Sequence, residues 1–447
     1  MSEQLLSQEK LPDSSIWKNR PFMLLWSAQA ISQTAQNAIW FALMVLIENA
    51  THSSTQIGIA IVSYILPSVL FTVPAGVMVD RVDKRFVLVL TNWLRAIAVL
   101  GYIFFHQSVW MIYGVTLVFS IISQFFLPAE AAMIPVLVGR KRLITANSLF
   151  NLTFTASQLA GIVLIAPIAI KLFGADALFV AIAVLFALCG FMVLPLPAGK
   201  VSPEQREETN SRKALRRFML DLRETWDFIV SDRMATMAMV VLTSGATLSL
   251  VTAMLAPRYM VAIVGIRADD TVYVLAPAGV GMTLGALIIG RVTRWLPKEL
   301  LIVVGMLGVA VGLLLLAVVT PVWGLIFQII SWMVSPEQLP TIVSLVSMVM
   351  LIAGVMGFSL SMVIICSQTI LQEQAPIASR GRIFAVQIML GNTASILPLV
   401  FIGGLADLLG VSRVLILLSV VMFGLGSMAM KAYQVRIWGS RNGLLSG

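Results

Sequence analysis

Charged side chains are scarce in this chain. Of its 447 residues 11% are Asp, Glu, Lys or Arg, against 59% hydrophobic, and the mean hydropathy is +0.95. A water-soluble domain of this length has no room to hide so much apolar surface, so much of it must face lipid. Histidine and cysteine are scarcer still, with two of each. Cys189 and Cys366 lie in separate apolar stretches, which argues against a disulfide framework or a thiolate metal site and makes both small core residues. His52 and His106 fall between apolar stretches. No HExxH pair and no nucleophile elbow occurs, so no metal, no cofactor and no catalytic residue is expected, and an enzyme is the least favoured class. The phosphate-cradling GxxxxGK[ST] pattern is missing too, which argues against ATP drive. The N-terminal MSEQLLSQEKLPDSSIWKNR lacks the basic start, short apolar core and cleavage site of a signal peptide. The first membrane helix is therefore expected to act as the insertion signal and to stay in place.

What the chain does have is a run of apolar stretches, each close to the ~20 residues a membrane helix needs. Twelve spans are read, at about 21–47, 55–79, 86–105, 108–136, 144–172, 176–196, 233–264, 271–293, 299–320, 340–371, 383–408 and 411–431. The short alternating segments of a membrane β-barrel are not seen. The polar stretch 198–232 divides the spans six and six, predicting an N-terminal bundle (1–197), a cytoplasmic linker (198–232) and a C-terminal bundle (233–447). Within the linker, Leu215, Phe218, Met219, Leu222, Trp226 and Ile229 recur at helical spacing between charged residues. That predicts an amphipathic surface helix over about 213–230, either a plain connector or a regulatory element. Residues 321–339, PVWGLIFQIISWMVSPEQL, are too short to add a comfortable span. They read as an interfacial or re-entrant segment on the outer side, or as the end of a ninth span bent at Pro321.

The net charge of +9 is concentrated in particular loops, which points to membrane orientation and not to nucleic acid. Connections after even-numbered spans carry Arg81, Lys84 and Arg85; Arg140, Lys141 and Arg142; Arg291, Arg294 and Lys298; and Arg380 with Arg382. Connections after odd-numbered spans offer little beyond His106, Lys171 and Arg267. The basic set is expected inside, which puts both termini in the cytoplasm of a multi-pass protein of the cell (inner) membrane.

One of those loops is denser in charge than topology requires. GVMVDRVDKR (76–85) holds Asp80, Arg81, Asp83, Lys84 and Arg85 in six positions. The positive-inside rule accounts for its basic residues but not for Asp80 or for Gly76. A weaker copy, GALIIGRVTR (285–294), follows span eight, and GRKR (139–142) has a counterpart in SRGR (379–382). The pattern reads as a duplication with an insertion between spans eight and eleven, as in secondary transporters built from repeats.

Gly76, Asp80, Arg81, Lys84 and Arg85 resemble the signature that follows span two in the major facilitator superfamily. The stretches LPAEAAMIPVLVGRKRLITANSL (127–149), SQTILQEQAPIASRGRIFAV (367–386) and GGLADLLG (403–410) resemble the macrolide-efflux-type branch of its drug–proton antiporters. The resemblance implies an all-α fold of twelve transmembrane helices in two six-helix bundles. It also implies a cytoplasmic gate in which the loop after span two latches to the start of span eleven, with Asp80 facing Arg380 and Arg382. Asp83 stands where the family usually has a second glycine, so the turn must form differently. Many relatives carry a basic residue where Glu130 stands, and an acidic one in span one near Gln36 and Asn37.

Ionisable residues at membrane depth are costly and usually functional. Glu130, near the end of span four, is a candidate proton acceptor, or a structural partner of Arg95 or of the latch loop. Arg95, inside span three, is a candidate for a structural ion pair or a substrate contact. Arg258 is expected to snorkel to the interface. Gln29, Gln33, Gln36 and Trp40 share one face of span one, joined by Ser32 and Asn37, and read as cavity lining or as helix–helix hydrogen-bonding groups. Thr243 and Thr247 of span seven, with Gln387 and Asn392 of span eleven, are expected to add to that lining. Few charges and neutral polar groups suit a neutral, cationic or amphipathic organic substrate. The leading expectation is a monomeric secondary transporter that exports amphipathic small molecules against protons. A lipid or metabolite transporter with weak or no proton coupling is the alternative, favoured by the missing span-one carboxylate, and a non-transporting receptor or scaffold comes third.

Overall fold

The computed structural model describes residues 16–139, 142–199, 220, 223–227, 229–331, 344–374 and 380–443. Among them no strand occurs. The long helices run in order as α1 (Arg20–Thr51), α2 (Ser54–Arg81), α3 (Lys84–Phe105), α4 (Val109–Leu137), α5 (Leu143–Leu159), α6 (Ala166–Val193) and α7 (Arg233–Tyr259). Then come α8 (Val272–Val292), α9 (Lys298–Ala317), α10 (Val319–Ser331), α11 (Leu345–Gln374), α12 (Arg380–Leu409) and α13 (Val411–Gly443). A π-helical turn, Ala160–Ile165, joins α5 to α6, and another, Met260–Val264, ends α7. Eleven helical stretches among the described residues are long and apolar enough to cross a membrane. One of them, Leu143–Val193, has 51 residues and breaks where Gly174 takes φ 84°, so it holds two spans. The fold is the all-α, twelve-span one.

Two units emerge from the packing: Met1–Ala50 with Ile59–Leu220, and Thr51–Gly58 with Asp221–Gly447. In the first, α3 packs on α4 and α6 and shows the polarity of a membrane helix. Thr91, Asn92 and Arg95 are buried, while Phe86, Leu90, Trp93, Leu94 and Ile97 are exposed. In water that arrangement would be inside out. In lipid it is favourable, because hydrocarbon solvates the apolar face and the polar groups find partners within the protein. Below them Phe22, Leu88, Phe126, Met133 and Cys189 form one apolar core. Cys366 is buried in the second unit, and both cysteines are free thiols.

In the second unit α8 and α9 pack on α11, and α9 packs on α13. Small residues permit these crossings. A Cβ added to Gly357 of α11 would collide with the carbonyl of Ala278, and one on Gly281 of α8 with the carbonyl of Gly354. Lipid provides little hydrophobic drive between helices, so such close backbone contact is what holds them.

The sequence leaves 321–339 as an interfacial or re-entrant segment, or as the end of a ninth span bent at Pro321. Residues 332–339 lie outside the described residues; over 321–331 the structure corrects the second reading, the bend at Pro321. Helix α9 ends at Ala317, Val318 leaves helical geometry (φ −110°, ψ 17°), and a separate 13-residue helix, α10, begins at Val319. Proline has no N–H, and its ring clashes with the carbonyl four residues earlier, which here is that of Ala317. The helix therefore breaks ahead of Pro321 and not at it. At ~1.5 Å per residue the described part of α10 is shorter than a bilayer core. Of the expected linker helix, 223–227 and 229–231 are helical; Leu215, Phe218, Met219 and Leu222 lie outside the described residues.

Candidate functional site

Arg95 projects from α3 into the interior of the first unit and is 1% exposed. Its Nη2 donates to Asn92 Oδ1 one turn earlier, at 2.9 Å. The guanidinium lies over the ring of Phe126, 4.0 Å from its centroid, and near that of Phe186 at 4.8 Å. Two aromatic faces partly compensate a buried cation, yet its Nε has no hydrogen-bond partner. Glu130, on α4 and 3% exposed, is in the same condition, for its Oε1 has none. The two charges act on each other electrostatically. Among the described residues no ion pair closer than 4 Å joins them. They are neighbours within reach of each other's field, not a locked salt bridge.

The polar face of α1 lies in the same unit. Gln29 and Ser32 are buried, and Gln33, Gln36 and Asn37 half-buried. Ser32 Oγ donates to Gln29 O at 3.2 Å, and Gln36 Nε2 donates to the hydroxyl of Tyr64 on α2 at 2.5 Å. The carbonyl of Tyr64 accepts from Ser120 Oγ of α4 at 2.5 Å, and its ring meets Trp40 edge to face at 6.0 Å. Gln36, Tyr64 and Ser120 thus tie three helices together. Gln29 Oε1 and Asn37 Nδ2 are buried with no hydrogen bond. Gly161, in the π-helical turn, lets that turn close on α1, where an added Cβ would stand 2.6 Å from Thr34 O and 2.7 Å from Asn37 Cβ. A buried polar atom without a partner costs about 1–3 kcal/mol. The first unit retains four on residues singled out from sequence: Gln29, Asn37, Arg95 and Glu130. A chain keeps such groups where they have a use.

In the second unit Thr247 Oγ1 and Ser395 Oγ pair at 2.8 Å, joining α7 to α12. Thr243, Gln387 and Asn392 are half-buried. Ser395, the partner of Thr247, is not among the residues singled out from sequence.

The cap that closes the loop after α2 falls on Asp83, which is not among the residues expected to form the gate. Gly76 has open space where a side chain would stand, and Asp80 and Arg81 are exposed. Asp83 does the structural work. It caps α3 by accepting from the N–H of Arg85 at 2.9 Å and accepts from the N–H of Gly199 at 3.1 Å. Arg85 Nη1 donates to Leu196 O at 3.2 Å, and the Lys84 stem packs against Gly199. Where the family pattern has a glycine, a carboxylate closes the turn and fastens it to the end of the sixth span. The copy after α8 has lost this device. Its cap position is Pro297, with no side-chain bond, and Lys298 instead pairs with Glu373 of α11. Arg380 and Arg382 begin α12, but their side chains lie outside the described residues. Asp83→Ala is expected to lower thermal stability by about 1 kcal/mol, read as an earlier melting transition in detergent; an unchanged transition would remove the cap from this account.

Sequence reasoning missed Tyr64 and Glu48. Glu48 is 0% exposed in the last turns of α1. It closes an apolar run, just past the span read at 21–47. It is a span-one carboxylate about three turns beyond Asn37.

The model of the Major Facilitator Superfamily matches residues 25–398. An MFS-type transporter of Bacillus subtilis (strain 168), YkuC, described as uncharacterized, is 26% identical over 151 residues, 33% of this chain and 35% of its own. Macrolide efflux protein A of Streptococcus pyogenes is 30% identical over 131 residues, 28% of this chain and 32% of its own. The chain matches about a third of the length of these curated relatives. Among solved structures, the nucleoside transporter NupG superposes with a TM-score of 0.71 at 12% identity, over 92% of this chain and 99% of its own. The POT family transporter PepTSo gives 0.62 at 13% identity, over 96% and 99%. At such identities the likeness carries the fold alone.

Proposed function

The chain belongs to the Major Facilitator Superfamily, and from that premise we propose that this multi-pass secondary transporter exports amphipathic small organic molecules in exchange for protons, by alternating access. The observation that carries the proposal is Glu130, a carboxylate 3% exposed with one oxygen unbonded. Losing a proton in that place creates a buried negative charge, which the nearby Arg95 cation offsets. Gaining one neutralises it. Protonation and deprotonation therefore switch the charge balance of the first unit, as a coupling site requires. Arg95 is held by Asn92, Phe126 and Phe186 so that its charge stays in place while the proton comes and goes.

Each unit offers a substrate a polar strip on an otherwise apolar helix. In the first it is Gln29, Ser32, Gln33, Gln36 and Asn37 with Tyr64 and Trp40; in the second it is Thr243, Thr247, Gln387 and Asn392. Aromatic faces and neutral hydrogen-bonding groups suit an amphipathic organic molecule, and the partial likeness to a macrolide efflux protein agrees with that class. The basic loops put both termini in the cytoplasm. Asp80, exposed at the end of α2, is the acidic half of the cytoplasmic gate, with Gly76, Arg81, Lys84 and Arg85 around it and Arg380 and Arg382 as its counterparts.

The test is transport in proteoliposomes with a panel of lipophilic cations, macrolides and lipids, each with and without a pH gradient. Gradient-driven accumulation that a protonophore collapses is the expected result. Flux of equal size without the gradient would sink proton coupling and favour the lipid or metabolite reading. That reading draws its support from the absence of a carboxylate beside Gln36 and Asn37.

A further inference from the structure

Asp407 lies in GGLADLLG, two residues before the end of α12. Its carboxylate accepts four hydrogen bonds from three consecutive residues. They come from Ser53 Oγ at 2.6 Å, the Ser54 N–H at 2.7 Å, and the N–H and hydroxyl of Thr55 at 3.0 and 2.5 Å. These residues open α2. The first N–H groups of a helix have no partner within it, and the positive end of the helix dipole favours a carboxylate there. Most such caps come from the residue just before the helix. This one comes from a residue 352 positions from Thr55.

The contact is built into the packing as well. Leu399, Gly403 and Asp407 are four residues apart and share a face of α12. A Cβ on Gly403 would stand 2.9 Å from Thr55 Cα, and one on Gly58 would stand 2.7 Å from Leu399 O. Glycine at both places lets the two backbones approach until Asp407 reaches the helix start. The consequence for α2 is unusual. Its first turn, through Gly58, belongs to the second unit, and from Ile59 onward the same helix belongs to the first.

We propose that Asp407 is a positioning residue of the transport cycle, a latch that keeps the first turn of α2 with the second unit until its four bonds are released. The proposal rests on the alternating-access reading above. While the bonds stand, α2 cannot move as one body with the first unit. When they exchange for water, it can. Asp407 is exposed, so water is at hand to take over the bonds, and the latch is strong without being permanent. Asp80 sits at the opposite end of the same helix.

Ser54 provides the reporter. It is 0% exposed, and its Oγ makes no hydrogen bond, so Ser54→Cys removes no side-chain bond. The two native cysteines are buried. The measurement is the labelling rate of the full-length Ser54→Cys protein in liposomes by a membrane-impermeant charged maleimide. With Asp407 present, labelling is expected to be slow. Adding Asp407→Asn is expected to raise the rate about tenfold or more, the loss of a charged acceptor shared by several donors. The pair Ser53→Ala and Thr55→Val keeps Asp407 and the backbone bonds, and its expected rise is about threefold. It also serves if the Asn variant does not fold. Equal labelling rates in all three proteins would overturn the latch, as would a rise accompanied by labelling of Cys189, which would mean general unfolding. If labelling rises as expected while none of the proteins moves any probe substrate, the latch stands and the transport reading fails.

Discussion

Glu130→Gln is expected to abolish accumulation driven by a pH gradient, by about tenfold or more, while downhill exchange of the same substrate persists. Glutamine keeps the size and hydrogen-bonding capacity of the protonated acid but has no proton to release. A transporter fixed in that form can still bind and turn over substrate, and it loses the means to harvest the gradient. The measurement compares uptake of a lipophilic cation into proteoliposomes with an imposed pH difference against counterflow without one. A loss of both would mean that Glu130 is a structural or substrate-binding group. Retention of both would move the coupling site elsewhere, and Glu48, the other buried carboxylate among the described residues of the first unit, is the residue to change next. Arg95→Met completes the set. With the cation gone, Glu130 has no opposing charge and is expected to stay protonated. Transport should then lose its response to pH in the same way, even though the carboxylate is present.

Gly357→Leu is expected to have the largest effect on stability. The place of its new side chain is occupied by the backbone of α8 at Ala278, and a helix backbone has no rotamer by which to yield. The helices α8 and α11 must separate, and their polar contacts and close packing go with the separation. Overpacking of this kind costs about 3 kcal/mol, enough to shift the melting transition clearly or to prevent a monodisperse peak in detergent. The control is Gly76→Leu, where a side chain meets open space and little change is expected beyond the loss at a helix position of an unfavourable glycine. Equal melting of Gly357→Leu and the parent would refute the crossing as a source of stability.

Some features were legible without coordinates because each depends on a local property summed along the chain. Apolar length marks a membrane span, since hydrocarbon requires every backbone group to be satisfied within the helix. Hence the twelve spans could be read directly. Arg95 and Glu130 were visible for a similar reason: a charge inside an apolar run is rare enough to stand out. The break near Pro321 was half legible. Proline announced it, but the clash with the carbonyl four residues earlier moves the break to Val318, and that displacement comes from helix geometry.

Other features depend on which distant groups meet, and no local property encodes that. Asp83 seemed a departure from a glycine pattern until its carboxylate was found on the N–H of Arg85 and of Gly199. Asp407 stands in GGLADLLG with no local sign of a role, and the structure places four donors from 53–55 around it. Tyr64 entered through its partners Gln36 and Ser120, on two other helices. The amino-acid sequence by itself determined that this is a helical membrane protein with charges such as Arg95 and Glu130 inside its apolar runs, because burial of apolar length and the penalty on isolated charge are one-dimensional. Only the tertiary structure decided which carboxylates are engaged and which are left unbonded. A hydrogen bond forms over less than about 3.5 Å, and only the packing of the helices brings residues hundreds of positions apart to that distance.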